Sequence, residues 1–156
     1  LDLCPDEYAA ALPKLRAALA RPARGLVLIG RRLLHSNNSW LHNSQRLLKG
    51  KDKCTLLVHP DDAEALAVAD GDVVTVASRV GQLEAPVEVS DEVMPGVVSL
   101  PHGFGHDRAG VSWTFAAAHP GRSANDLTDD QRVDEVSGNA ALNGTPVTVT
   151  PRRPAG

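Results

Sequence analysis

The residues best equipped for chemistry stand together in one stretch, Gly30-Arg31-Arg32-Leu33-Leu34-His35-Ser36-Asn37-Asn38-Ser39-Trp40-Leu41-His42-Asn43. Two adjacent guanidinium groups come first. Seven of the eleven residues from Leu33 to Asn43 then carry polar side chains. No helical or strand period orders them, so the stretch reads as a loop. Its many donors and acceptors need partners. Water can supply them. So can a large ligand with phosphate oxygens and heterocycle edges, because an arginine fork matches phosphate while Asn and Ser both donate and accept.

Other chemistry-bearing residues lie downstream. His102-Gly103-Phe104-Gly105-His106 places two histidines four apart. On a helix that spacing could hold zinc, but the two glycines argue against a helix and no third ligand stands nearby. Nor is it a dinucleotide fingerprint, since Arg108 occupies the third glycine's place. Close backbone approach at the glycines is the better reading. Cys4 and Cys54 form neither a disulfide framework nor a zinc pair. There is no Gly-x-Ser-x-Gly elbow and no phosphate-cradling Gly-Lys-Ser/Thr.

These loops need a scaffold, and the apolar pattern outlines one. Residues Pro5 to Ala20 are rich in Ala and Leu, with Leu12, Leu15 and Leu19 at helical spacing. Pro22 ends that helix, and Arg21 to Gly25 reads as a linker. Leu26-Val27-Leu28-Ile29 reads as a buried strand leading into the polar loop. Gln45 to Lys53 is basic and reads as surface. Cys54 to Val58 is a second strand, with Cys54 as a small core residue. Pro60 and the acids after it mark a short helix start. Val73 to Ala77 is a strand. Leu83, Ala85, Val87 and Val89 alternate as a half-buried strand, with Pro86 predicting an edge or a bulge. Val97 to Leu100 and Val147 to Thr150 complete the set. From Pro101 to about Asn143 little regular structure is predicted. Short strands, short helices and long loops make a mainly β small barrel the economical fold.

Length and charge bound the rest. The chain has 156 residues and a formal charge of −3, enough for one cored domain and no global basic field. Nucleic-acid binding is not expected. No apolar run approaches the roughly 20 residues that span a bilayer, so no membrane contact is expected. A cytoplasmic location is the working expectation. The chain starts at Leu1, which suggests a fragment.

Four pieces in one order resemble the C-terminal, dinucleotide-binding domain of the molybdopterin oxidoreductases, the enzymes of the dimethyl sulfoxide reductase, formate dehydrogenase and nitrate reductase type. They are Gly30-Arg31 with His35-Ser36-Asn37-Asn38-Ser39; His59-Pro60-Asp61-Asp62-Ala63 through Asp70-Gly71-Asp72 to Ser78-Arg79-Val80-Gly81; Val93-Met94-Pro95-Gly96-Val97-Val98 with Pro101-His102-Gly103; and Asn125-Asp126-Leu127-Thr128 with Asp134, Ser137-Gly138 and Leu142-Asn143-Gly144. The resemblance implies a double-psi β-barrel over residues 25–150, preceded by a helical extension and linker at 1–24 and followed by a tail at 151–156. It implies molybdopterin guanine dinucleotide as cofactor, with molybdenum or tungsten held by other domains of a parent enzyme. None is expected in the isolated fragment, which is expected to be catalytically silent.

The resemblance further implies which residues meet the cofactor: Arg31, Leu33, His35, Ser36, Asn37, Asn38, Ser39 and Asn43 in the first loop, His102 and Gly103 in the glycine turn, and Asn125 and Asp134 beyond it. Arg32 is expected to point away from Arg31, since neighbouring strand residues face opposite sides. The alternative is a double-psi barrel that recognises proteins or substrates without any cofactor. Such a barrel would not require the two polar loops.

Overall fold

The computed structural model describes residues 4–21, 25–47, 50 and 52–152. Its centre is a closed barrel of six strands: β1 (Leu26–Arg31), β2 (Leu56–Val58), β3 (Val73–Ala77), β4 (Gln82–Val89), β5 (Val97–Pro101) and β6 (Thr145–Pro151). The order around the barrel is β1-β5-β2-β4-β3-β6. The β1/β5 and β2/β4 pairs are parallel and the remaining pairs antiparallel. The fold is a double-psi β-barrel.

The core follows the alternation in the sequence. Val74 and Val76 of β3, Leu83, Ala85 and Val87 of β4, and Val147 and Val149 of β6 all turn inward. They meet Leu28, Leu56, Val58, Val98, Leu100 and Leu127. All three residues of β2 are buried, because this short strand is covered on both faces. Cys54 and Thr55 are buried just ahead of it, so the second strand starts two residues later than its apolar run predicts.

The edge or bulge predicted at Pro86 is not what forms. β4 lies inside the closed barrel, and Pro86 pairs with Val73. The Val87 N–H and C=O both point toward the β3 side, bonding Asp72 and Gly71. The Pro86 nitrogen therefore faces the β2 side, where the ladder begins only at Leu56 opposite Val87. The proline stands where no ladder bond is missed.

Helix α1 (Asp6–Leu19) forms as its leucine spacing predicts, yet it buries none of its residues, and Tyr8, Leu12, Leu15 and Leu19 remain exposed. Lys14 on this helix pairs with Glu135. Most of the expected linker, Pro22 to Arg24, lies outside the described residues. Helix α2 (Pro60–Leu66) starts at Pro60, and the His59 side chain caps it by accepting the Asp61 N–H at 3.1 Å. Two elements were not legible in the irregular stretch: α3 (Thr114–Ala118) and a one-turn 3-10 helix at Ala124–Asp126. Two residues assigned to the tail from sequence lie against the barrel. Pro151 completes β6, and Arg152 donates to the Val73 carbonyl at 3.0 Å and pairs with Glu84.

Candidate cofactor-binding site

The parallel pairing of β1 and β5 decides where the loops go. Arg31 lies opposite Pro101, so both strands end at the same rim and both following loops leave it side by side. The His102 N–H donates to the Arg31 carbonyl at 2.9 Å. The turn before β6 joins them, since Leu28 pairs with Thr145. Asn143 Oδ1 accepts the Gly30 N–H at 2.9 Å, and the Gly144 N–H reaches the Leu28 carbonyl at 2.8 Å.

Two glycines permit this closeness. The His102 ring lies over Gly30, where a Cβ would come within 2.7 Å of Nε2. A Cβ on Gly103 would stand 2.2 Å from the Asn38 carbonyl oxygen, and Gly103 has φ +84. The glycine turn thus touches the polar loop itself. The close backbone approach predicted at the glycines is made, at Gly103, to the protein's own loop.

Arg31 is turned into the barrel end. Its guanidinium donates to the Ser99 carbonyl at 2.5 Å, the Thr55 carbonyl at 2.8 Å and the Thr55 hydroxyl at 2.9 Å. The Thr55 hydroxyl in turn donates to Glu88 at 2.5 Å. Burial works against the Arg31 charge and the Glu88 carboxylate works for it. With the Lys53 carbonyl at 3.5 Å, the fork expected on a phosphate is engaged with four protein acceptors. Arg32 faces outward, as expected from strand alternation, and donates to Asn38 Oδ1.

The loop that follows is a chain of tight turns. Asn37 and Asn38 hold φ values of 44 and 62, a left-handed conformation that asparagine tolerates better than most residues. Buried Ser36 donates its hydroxyl to the Leu33 carbonyl at 3.0 Å. Asn43 Oδ1 accepts the Phe115 and Ala116 N–H groups at 2.9 and 3.1 Å, which fastens the loop's far end to the first turn of α3.

Between the two loops lies a cluster that sequence reading missed. His42 Nδ1 and His106 Nε2 are 2.8 Å apart, and both side chains are buried. The Phe104 ring stands 4.3 Å from His42, and Trp113 stands 6.0 Å from His106. His42 Nε2 is buried with no well-formed hydrogen bond. Burial holds His42 below the ordinary histidine value, His106 adds to this, and the Gly103 backbone acts the other way. Burial also lowers His106, against the pull of Asp107. The two residues are 64 apart in the chain, and no periodicity links them.

The remaining polar groups divide cleanly. Asp134 shapes its own turn by accepting the Ser137 N–H and hydroxyl, both at 2.7 Å, and these bonds hold its carboxyl below the usual range. His35, Asn37 and Ser39 make no side-chain hydrogen bond among the described residues, and neither does Asn125. Asn125 is exposed in the 3-10 helix, two residues beyond Ser123, which packs against Gly105. A cleft of about 430 Å³ opens beside Phe104, walled by Lys53, Cys54, His119 and Arg122. Cys54 accepts the Arg122 N–H there at 3.1 Å, and burial pushes its thiol up.

A double-psi barrel that carries polar loops on one rim, with their roots fixed and several of their side chains making no hydrogen bond among the described residues, is built as a binding domain. The family described as "Molydopterin dinucleotide binding domain" matches residues 26–146, and this chain belongs to it. A dimethyl sulfoxide/trimethylamine N-oxide reductase of Rhodobacter capsulatus is 40% identical over 80 residues, 51% of this chain and 10% of that protein. The molybdopterin-containing subunit ArrA of an arsenate respiratory reductase from Chrysiogenes arsenatis is 29% identical over 114 residues, 70% of this chain and 13% of that protein. The chain thus spans about a tenth of the length of these curated relatives. Among solved structures, acetylene hydratase from Pelobacter acetylenicus superposes with a TM-score of 0.67 at 20% identity, covering 91% of this chain and 20% of that one. That likeness shows the fold. The alternative of a cofactor-free recognition barrel has no support in these comparisons.

Proposed function

We propose that this chain holds the pterin dinucleotide of a larger molybdenum- or tungsten-dependent oxidoreductase, and that the rim loops form its binding wall. One observation carries the reading. The loop from Arg32 to Asn43 is anchored at both ends, yet the side chains of His35, Asn37 and Ser39 make no hydrogen bond among the described residues. Groups held in place before binding lose little freedom on binding, which favours affinity. Their chemistry suits a pterin edge, which presents donors and acceptors side by side.

In this reading His35, Asn37, Ser39 and Asn125 contact the cofactor. Arg31, Leu33, Ser36, Asn38, Asn43, His102 and Gly103 shape the wall behind them. Asp134 contributes through its turn. The bound group supplies two-electron redox chemistry, with its metal held by the remaining domains of the parent. Those domains are the expected partners. Among the described residues no helix is long and apolar enough to cross a membrane.

The test uses the parent enzyme. His35→Ala together with Asn125→Ala is expected to lower molybdenum or tungsten and pterin content per purified enzyme, with an unchanged melting curve. Full occupancy in that variant removes the site assignment.

A further inference from the structure

We infer that His42 and His106 are positioning residues that clasp the cofactor loop to the glycine turn, and that acidification opens this clasp. The inference goes beyond the binding reading and rests on it only for the loop's purpose. The clasp itself follows from geometry. His42 sits one residue before Asn43, at the end of the polar loop. His106 lies on the neighbouring loop, where its backbone N–H reaches the Pro120 carbonyl at 3.2 Å. The ring nitrogens meet at 2.8 Å, in a pocket walled by Phe104 and Trp113.

Two neutral imidazoles share one N–H···N bond when one turns its N–H and the other its lone pair to the contact. A first proton leaves that bond in place but adds a charge to a site that excludes water. A second proton sets N–H against N–H and breaks the bond. The groups around the pair offer little compensation. His42 is 0% exposed and faces His106, the Phe104 ring and the Gly103 backbone. His106 is 8% exposed and faces Trp113 and Phe104, with Asp107 as the carboxylate that favours its charge. Burial comes first among the causes that hold each histidine below its ordinary value.

The sign follows from linkage. An open loop takes up protons near the ordinary histidine value of about 6.5, whereas the closed pair resists until the pH is lower. The closed state is therefore fully favoured above that value and loses ground as the pH falls below it. Once both histidines can charge only in the open form, the loop detaches from Phe104 while the barrel stays folded. Neither the strands nor the core depends on either ring.

Amide hydrogen exchange on this chain, without cofactor, tests the clasp. The amides to follow are Leu41, His42 and Ser44, which bond to Ser36, Ser39 and Leu41 within the loop. After correction for intrinsic exchange, their protection is expected to fall about tenfold between pH 8 and pH 5.5, the scale of one lost hydrogen bond. Amides of the β3/β4 ladder should keep theirs. His106→Phe keeps a ring but leaves only His42 to titrate, so its fall should be clearly smaller. Constant loop protection in the unaltered chain overturns the inference, as does an undiminished fall in His106→Phe.

Should that variant not fold, imidazole ¹⁵N titration of the unaltered chain decides. His42 and His106 must titrate below the ordinary histidine value of about 6.5 and in step with the loss of loop protection. Titration at the ordinary value, or out of step, refutes the clasp. A flat exchange profile leaves the cofactor reading standing. Full cofactor occupancy in the loop variants removes that reading and leaves the clasp.

Discussion

Replacing Arg31 by methionine tests whether this residue belongs to the scaffold. Methionine keeps a long apolar stem and removes the fork. Four bonds are lost, to the carbonyls of Ser99, Thr55 and Lys53 and to the Thr55 hydroxyl. The Thr55 hydroxyl can still donate to Glu88. Ser99 is 1% exposed and Thr55 is 5% exposed, so water does not readily replace the guanidinium at either carbonyl. Each buried acceptor left unpaired costs about 1–3 kcal/mol, and the retained stem offsets part of that. The expected loss is about 3 kcal/mol, or a fall in melting temperature of roughly 6–12 °C for a domain of this size. Arg31→Lys keeps the charge without the planar fork and should recover only part of it. Urea unfolding of the purified chain measures this, with the slope checked for constancy. A loss below about 0.5 kcal/mol, the scale of an ordinary surface change, would refute the reasoning and return Arg31 to the cofactor.

Gly103→Ala should cost about 2–4 kcal/mol, because it combines a left-handed backbone with a Cβ 2.2 Å from the Asn38 carbonyl. It should expose the 33–43 loop to protease before the barrel unfolds, and an unchanged cleavage pattern would contradict the contact. Asp129 accepts the Nε–H and one Nη–H of Arg79, both at 2.6 Å, and this side-chain pairing holds its carboxyl at about 2. A carboxylate depressed in this way stabilises the fold above its unfolded value of about 3.9 and ceases to do so as the pH falls toward 2. Melting temperatures between pH 5 and pH 2.5 should therefore fall less steeply in Arg79→Gln than in the unaltered chain. Parallel curves would show that the pair contributes nothing.

The local elements were legible where a short-range rule sufficed. Val73 to Ala77 forms a strand at the bounds its β-branched run predicts. Leu83, Ala85 and Val87 alternate into the core as their period requires. His59-Pro60-Asp61 caps and starts a helix. Element α3 was not legible, because five residues are too few to show a period. Closure into a double-psi barrel came from resemblance, since strand order leaves no local trace.

The sequence by itself therefore determined the strands, the polar loop that follows β1, and the family to which they point. The tertiary structure decided what each polar residue does. Arg31 reads from sequence as a free fork at a strand end. It turns inward because β1 ends beside Thr55 and Ser99, residues 24 and 68 positions away. His42 reads as one more polar residue in a loop, and it becomes buried because parallel β1 and β5 bring the 102–106 turn against it. Residue type states which bonds a side chain can make, and only the closed barrel determines which partner lies within 3 Å.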